Sequence, residues 1–187
     1  MPVQPHPITI TVYDTDNTTL KSGACAYVRN CTKKTTSSIE TTNASGVAVI
    51  DLANLPLATG QTEEYSTGDK ILIISYNGQN HDAAMYTVTG TSKSQTLYLN
   101  PIVHTGGGSS EYGDTVRLMQ ILTGNTDGSN AYYIKVWAID DGELLAHIET
   151  DSNSSQNVIF GSKGKGCSGG FVVERENKAV IVTATFK

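Results

Sequence analysis

The chain has 187 residues, of which 38% are hydrophobic and 17% charged, with a net charge of −5. That is apolar material enough for one large domain or two small ones, since domains commonly run to about 100–150 residues. No Lys/Arg run exceeds Lys33-Lys34 and no apolar run approaches the roughly 20 residues of a membrane span. The expectation is therefore a soluble chain that binds neither nucleic acid nor membrane.

In chain order, Met1–Pro7 comes first and contains Pro2, Pro5 and Pro7. It lacks the basic region and apolar core of a secretory signal, so either a signal was removed or the protein leaves its cell by another route, such as assembly into a virus particle. Residues 1–7 read as a proline-rich arm. Pro2, Val3, Pro5 and Pro7 are candidate partner-binding residues, because extended polyproline loses little entropy on docking. The alternative is a disordered tail.

Strand alternation then dominates, and helical periodicity is nearly absent. Ile8, Ile10 and Val12 alternate with Thr9, Thr11 and Tyr13. Ala24, Ala26 and Val28 form a second apolar row, opposite Cys25, Tyr27 and Arg29. Further runs are Val47–Leu52, Lys70–Tyr76, Ala83–Thr89 and Gln95–Asn100. Asn77-Gly78 predicts a hairpin, since a type I′ turn requires positive φ. Residues 8–102 thus read as one β-sandwich. The stretch 103–113, with Gly106-Gly107-Gly108-Ser109-Ser110, reads as a flexible linker. An ordered loop is the alternative. Residues 114–187 then read as a second small sandwich or barrel, with strands over Val116–Leu122, Tyr132–Ile139, Leu144–Glu149, Val158–Phe160, Phe171–Glu174 and Ala179–Phe186. The fold class is all-β in two modules.

Three cysteines cannot all pair within one chain. Cys25 and Cys31 in a straight strand would be roughly 20 Å apart, far beyond the reach of a disulfide. Free thiols fit folding in a reducing cytoplasm.

The remaining constellations favour structure over chemistry. Gly166-Cys167-Ser168-Gly169-Gly170 superficially resembles the nucleophile loop of trypsin-like proteases. Of the four histidines, His147 alone falls within the second module, residues 114–187, and Cys167 replaces the loop's aspartate, so a flexible glycine loop is expected. Asp14-Thr15-Asp16-Asn17 and Asp140-Asp141 lack the later glutamate of a calcium loop. The histidines share no zinc spacing. No catalytic residue, cofactor or metal is expected. In the second module Tyr133, Lys135 and Trp137 share one strand face, and Tyr132, Ile134, Val136 and Ala138 the other. Core packing is the first expectation for Tyr133 and Trp137. Exposed, the pair would be a candidate partner-binding site for a sugar ring or a protein interface.

Ile8–Asp14, Leu20-Lys21-Ser22-Gly23-Ala24 leading into Tyr27-Val28, and the polar turn and alternating strand of Thr41–Leu52 together resemble the transthyretin-like sandwich of carboxypeptidase regulatory-like domains. Gly68-Asp69 fits the Gly-Asp that precedes that family's next strand. The resemblance spans about residues 8–100, half the chain. It implies an accessory or binding module without catalytic residues. The B-type repeats of collagen adhesins, a sister family, can carry a Lys–Asn isopeptide bond. Asn100 stands where their Asn often sits, but Ile8–Tyr13 offers no lysine and Lys21 lies beyond the strand, so the bond is not expected.

The whole chain looks like a phage head decoration protein: a non-enzymatic virion protein folded in the host cytoplasm and bound to the major capsid protein lattice or other virion proteins, as a homo-oligomer for which a trimer is one option. The alternative is a bacterial or archaeal cell-surface module, an adhesin fragment or filament subunit.

Overall fold

The computed structural model describes residues 4–57, 59–78, 80–101, 103–104, 116–160, 165–167, 170–177 and 179–186. The chain is all-β, and among the described residues its helical content is one short 3₁₀ turn, Leu52–Asn54. It divides into two compact units, Met1–Leu99 and Asn100–Lys187.

Unit 1 contains β1 (Pro7–Tyr13), β2 (Cys25–Asn30), β3 (Thr35–Thr36), β4 (Glu40–Thr41), β5 (Val47–Asp51), β6 (Lys70–Asn77), β7 (Asn80–Thr87) and β8 (Lys93–Tyr98). One sheet runs β5-β1-β8. The other contains the run β3-β2-β6-β7, with β4 also on β2. The alternation in β1 buries Ile8, Ile10 and Val12 completely, and these meet Val28, Ile71, Ile73 and Tyr86 from the facing sheet in one core. Each large aliphatic side chain so buried contributes about 1.5–3 kcal/mol. Strand β6 breaks the simple alternation. Ile71 and Ile73 enter the core, while Leu72 and Ile74, which point the other way, are also fully buried. A strand buried on both faces accounts for the unbroken run Ile71-Leu72-Ile73-Ile74.

The end strands of unit 1 have an uncommon relation. β1 opens the unit and β8 closes it, and they lie side by side in parallel from Ile8↔Lys93 to Tyr13↔Tyr98. On its other edge β1 pairs antiparallel with β5.

Two turns bear on the sequence reading. The β6–β7 hairpin forms, but Asn77 pairs with Asn80, so its loop begins at Gly78 rather than Asn77. Gly78 has a φ of +62°, which supplies the positive φ. The polar turn before β5 is held by Asn43, whose Oδ1 accepts the Ser45 and Val47 amides at 2.9 and 3.1 Å. Its Gly46 has a φ of +67°, and an added Cβ would lie 2.9 Å from the Val12 carbonyl oxygen.

Unit 2 contains β9 (Asn100–Pro101), β10 (Val103–His104), β11 (Val116–Asn125), β12 (Tyr132–Ala138), β13 (Leu144–Thr150), β14 (Ser155–Ile159), β15 (Lys165–Cys167), β16 (Phe171–Arg175) and β17 (Val180–Phe186). One sheet runs β10-β17-β11-β14 with β15 also on β11, and the other runs β13-β12-β16. Ile121, Ile134, Val136, Ile148, Phe171, Val173 and Val182 form its core. An opening strand again pairs in parallel with the last: Val103 faces Thr183 and His104 faces Ala184.

Two stretches read as loop therefore contain strand. Val103 and His104, assigned to the 103–113 linker, are recruited by β17, while 105–115 lie outside the described residues. Gly166 and Cys167 of the expected glycine loop, with Lys165 before them, pair with Val116–Leu118. Such short pairings carry no periodicity of their own, because a neighbouring edge imposes them.

Candidate functional site

Of the proline arm, Met1, Pro2 and Val3 lie outside the described residues. The segment from Gln4 to Pro7 is anchored to unit 1, not a free arm. His6 is completely buried, its amide donates to Asp51 Oδ1 at 2.8 Å, and its carbonyl accepts the Leu52 amide at 3.1 Å. Its ring Nε2 lies 3.1 Å from the Tyr86 hydroxyl, and the Tyr65 hydroxyl donates to the Gln4 carbonyl at 2.5 Å. Burial pushes the His6 imidazole below its ordinary value, against the opposing pull of Asp51 and a hydrogen bond to the Gly90 backbone. Pro7 is the first residue of β1, opposite Asp51, and Pro5 is exposed between two anchored neighbours. The prolines hid a buried histidine, and nothing in the local sequence marks it.

Tyr133 and Trp137 do not enter the core. β12 buries Ile134, Val136 and Ala138 and turns Tyr133, Lys135 and Trp137 outward, half-buried. The T-shaped contact of Tyr133 with His147 has ring centroids 5.2 Å apart, and Lys135 Nζ lies 4.5 Å from the Tyr133 centroid. Trp137 Nε1 donates to Glu174 Oε2 at 2.7 Å, a charge-assisted bond that fixes the indole. On the neighbouring strand Val172, directly opposite Trp137, is only 1% exposed. The outer face of β13-β12-β16 is thus a mixed patch of two aromatic rings, an imidazole and carboxylates. Such a patch suits binding, because amphipathic rings contribute contact area at low entropic cost. The sequence showed that the two rings share a face. Glu174 and His147 join them through strand register, which local sequence does not encode.

The acidic loops are occupied by the chain's own backbone. Asp16 Oδ1 accepts the Thr18 and Thr19 amides at 2.9 and 2.8 Å, and hydrogen bonds from Thr19 hold its carboxyl well below the usual carboxylate range. Asp14 pairs with Lys21 at 2.7 Å. Asp141 Oδ1 accepts the Glu143 amide at 2.9 Å. Among the described residues no group of three or more His, Cys, Asp or Glu side chains is placed to hold a metal ion. Ser168 and the side chains of Asn100 and Cys167 lie outside the described residues, whereas Cys25 is a free thiol and Cys31 is buried.

The sequence reading missed a buried polar tie in unit 1. Asn30 Nδ2 donates to Asp69 Oδ2 at 2.8 Å, and the same oxygen accepts the Ser66 amide at 2.9 Å. Lys33 Nζ reaches the Glu63 carbonyl and the Ser66 hydroxyl, each at 2.9 Å, and stands 3.9 Å from Asp69. In unit 2 Asn125 plays the same part, donating to the carbonyls of Asn130, Thr150 and Asp151 at 2.8, 3.0 and 3.1 Å. These ties lock loops rather than form an acid–base set.

No family model matches the chain, and no curated protein matches it. Among solved structures, the Bacillus anthracis TIE protein aligns over 93% of this chain at 11% identity and a TM-score of 0.36, and the chain spans 29% of that protein's length. The shaft pilin SpaA of Lactobacillus rhamnosus GG aligns over 98% of this chain and 83% of its own length, at 11% identity and a TM-score of 0.38. A likeness at this level assigns neither a fold family nor a function.

Proposed function

We propose that this chain is a non-enzymatic structural module of an extracellular or cell-surface assembly, an adhesin or filament piece, whose first unit resists tension applied at its ends. The parallel register of β1 and β8 carries the reading. Pulling on the start of β1 and the end of β8 slides two parallel neighbours past one another. Every rung from Ile8↔Lys93 to Tyr13↔Tyr98 is then strained at once. Antiparallel end strands pulled from adjacent ends would open one rung at a time. Resistance to force depends on the unfolding barrier, so loading the rungs together slows the loss of the fold. The β10–β17 pairing repeats the arrangement in shorter form. Unit 1's place among transthyretin-like sandwiches is part of the same proposal. Antibody labelling of intact cells tests the location: label at the surface is expected, and label released only by lysis contradicts it.

A second reading, a capsid decoration protein, is favoured by the free thiol Cys25, which suits folding in a reducing compartment. Cosedimentation with mature capsids and slower capsid disruption by heat or low salt would support it. Unchanged capsid stability without cosedimentation would count against it.

A further inference from the structure

We infer that the edge strand β14 is a self-association surface, on which a second copy of this chain adds its own β14 in antiparallel register to make one sheet continuous across two molecules. β14 ends the order β10-β17-β11-β14, and its ladder partner among the described residues is β11. An edge presents backbone donors and acceptors to any strand that fits, and proteins blunt long edges with charge, proline or brevity. The other described end strands carry such features. Asp51 lies in β5, Lys93 in β8, Glu149 in β13, Glu174 and Arg175 in β16, while β3 and β10 have two residues each. β14, Ser155-Gln156-Asn157-Val158-Ile159, has five residues with no charge, proline or glycine.

Its exposure points the same way. Ser155, Gln156, Asn157 and Ile159 are exposed, Ile159 by 68%, and Leu122 on β11, whose partner in the ladder is Asn157, is 45% exposed. Asn157 is held upright by Gln120, whose Nε2 donates to its Oδ1 at 2.8 Å.

The strand's own symmetry identifies the occupant. Antiparallel pairing about Asn157 sets Asn157 against itself, Ser155 against Ile159 and Gln156 against Val158, so no like charges meet across the seam. Acidic, exposed Asp151 lies in the turn that leads into the strand, and Lys165 comes after it on the same side of β11. Reversing one copy therefore brings opposite charges towards each other at both ends. A two-fold contact of this kind closes on itself and gives a dimer. The inference stands apart from the tension-bearing reading.

Sedimentation velocity of the full chain over a concentration series tests it. The wild type is expected to pass from monomer to dimer. Asn157→Lys, which opposes two cations across the dyad, should raise the dissociation constant at least about tenfold, and Asn157→Glu should do the same. An equimolar mixture of the two variants should restore dimer, an outcome that misfolding of either variant cannot produce. A wild type that stays monomeric throughout overturns the inference, as does a dimer unaffected by either variant or two weakened variants whose mixture is not rescued.

Discussion

Asn30 and Asp69 stand 39 residues apart in sequence, yet the Asn30 amide and the Asp69 carboxylate meet at 2.8 Å in the interior of unit 1. Asn30 ends β2 and Asp69 precedes β6, so this bond and the neighbouring Lys33 fix the loop 63–69 against the turn after β2. Asp69→Ala would leave the Asn30 amide and a nearly enclosed Lys33 ammonium with fewer partners. The expected cost is about 3 kcal/mol in urea unfolding of unit 1. Lys33→Met, which spares the Asn30–Asp69–Ser66 bonds, should cost clearly less. Equal losses would show that the ion pair, not the amide, holds the loop.

His6 gives unit 1 a pH dependence with a definite sign. Its pKa is lowered from 6.5 by burial. The unfolded chain therefore binds the proton more readily, and stability falls as pH drops below about 6.5 towards the folded value. The groups around the ring are Asp51, Tyr65 and Tyr86, with Lys93 Nζ 5.5 Å from the Tyr86 centroid. Between pH 7.5 and 5.5 the wild type should lose more stability than His6→Gln. Identical losses in the two proteins would show that His6 does not titrate in this window.

Gly46 is the position where the backbone demands glycine most. With its φ of +67° and the Val12 carbonyl 2.9 Å from any Cβ, Gly46→Ala meets both torsional strain and a clash. A loss of about 2 kcal/mol is expected in thermal or chemical denaturation. A neutral substitution would mean that the turn before β5 can move away from β1.

The outward placement of Trp137 predicts unequal costs within β12. Ile134→Ala opens the core and should cost about 3 kcal/mol, whereas Trp137→Ala should cost about 1 kcal/mol. Trp137 is the chain's single tryptophan. Its emission should shift in Glu174→Gln, which weakens the hold on the indole nitrogen, and on binding of any glycan or protein to this face. Unchanged emission in Glu174→Gln would place the indole elsewhere.

The two periods that decide these structures differ in how visible they are. Alternation in Ile8–Tyr13 and Tyr132–Ala138 announced strands, because one buried face imposes a period of two on the side chains. It could not say which face of Tyr132–Ala138 is inward, and the larger aromatic pair proved to be outside. Glu174 joins Trp137 through register between strands, and Asp69 joins Asn30 through a loop closure. Such pairings are properties of the assembled sheet. The short strands β3, β4, β10 and β15 were invisible for the same reason. The parallel meeting of β1 and β8 is topology as well, and it is the feature on which the functional proposal depends.

Single-molecule pulling tests that proposal most directly. With handles at the two chain ends, unit 1 should unfold in a discrete high-force event, and unit 2, with its two described β10–β17 rungs, at lower force. Moving the first handle to exposed Thr15, beyond the C-terminal end of β1, loads the same β1–β8 rungs one at a time and leaves the pull on unit 2 unchanged. The account predicts a severalfold drop in the unit 1 force with the unit 2 event as internal reference. A unit 1 force that is the same in both geometries would contradict it.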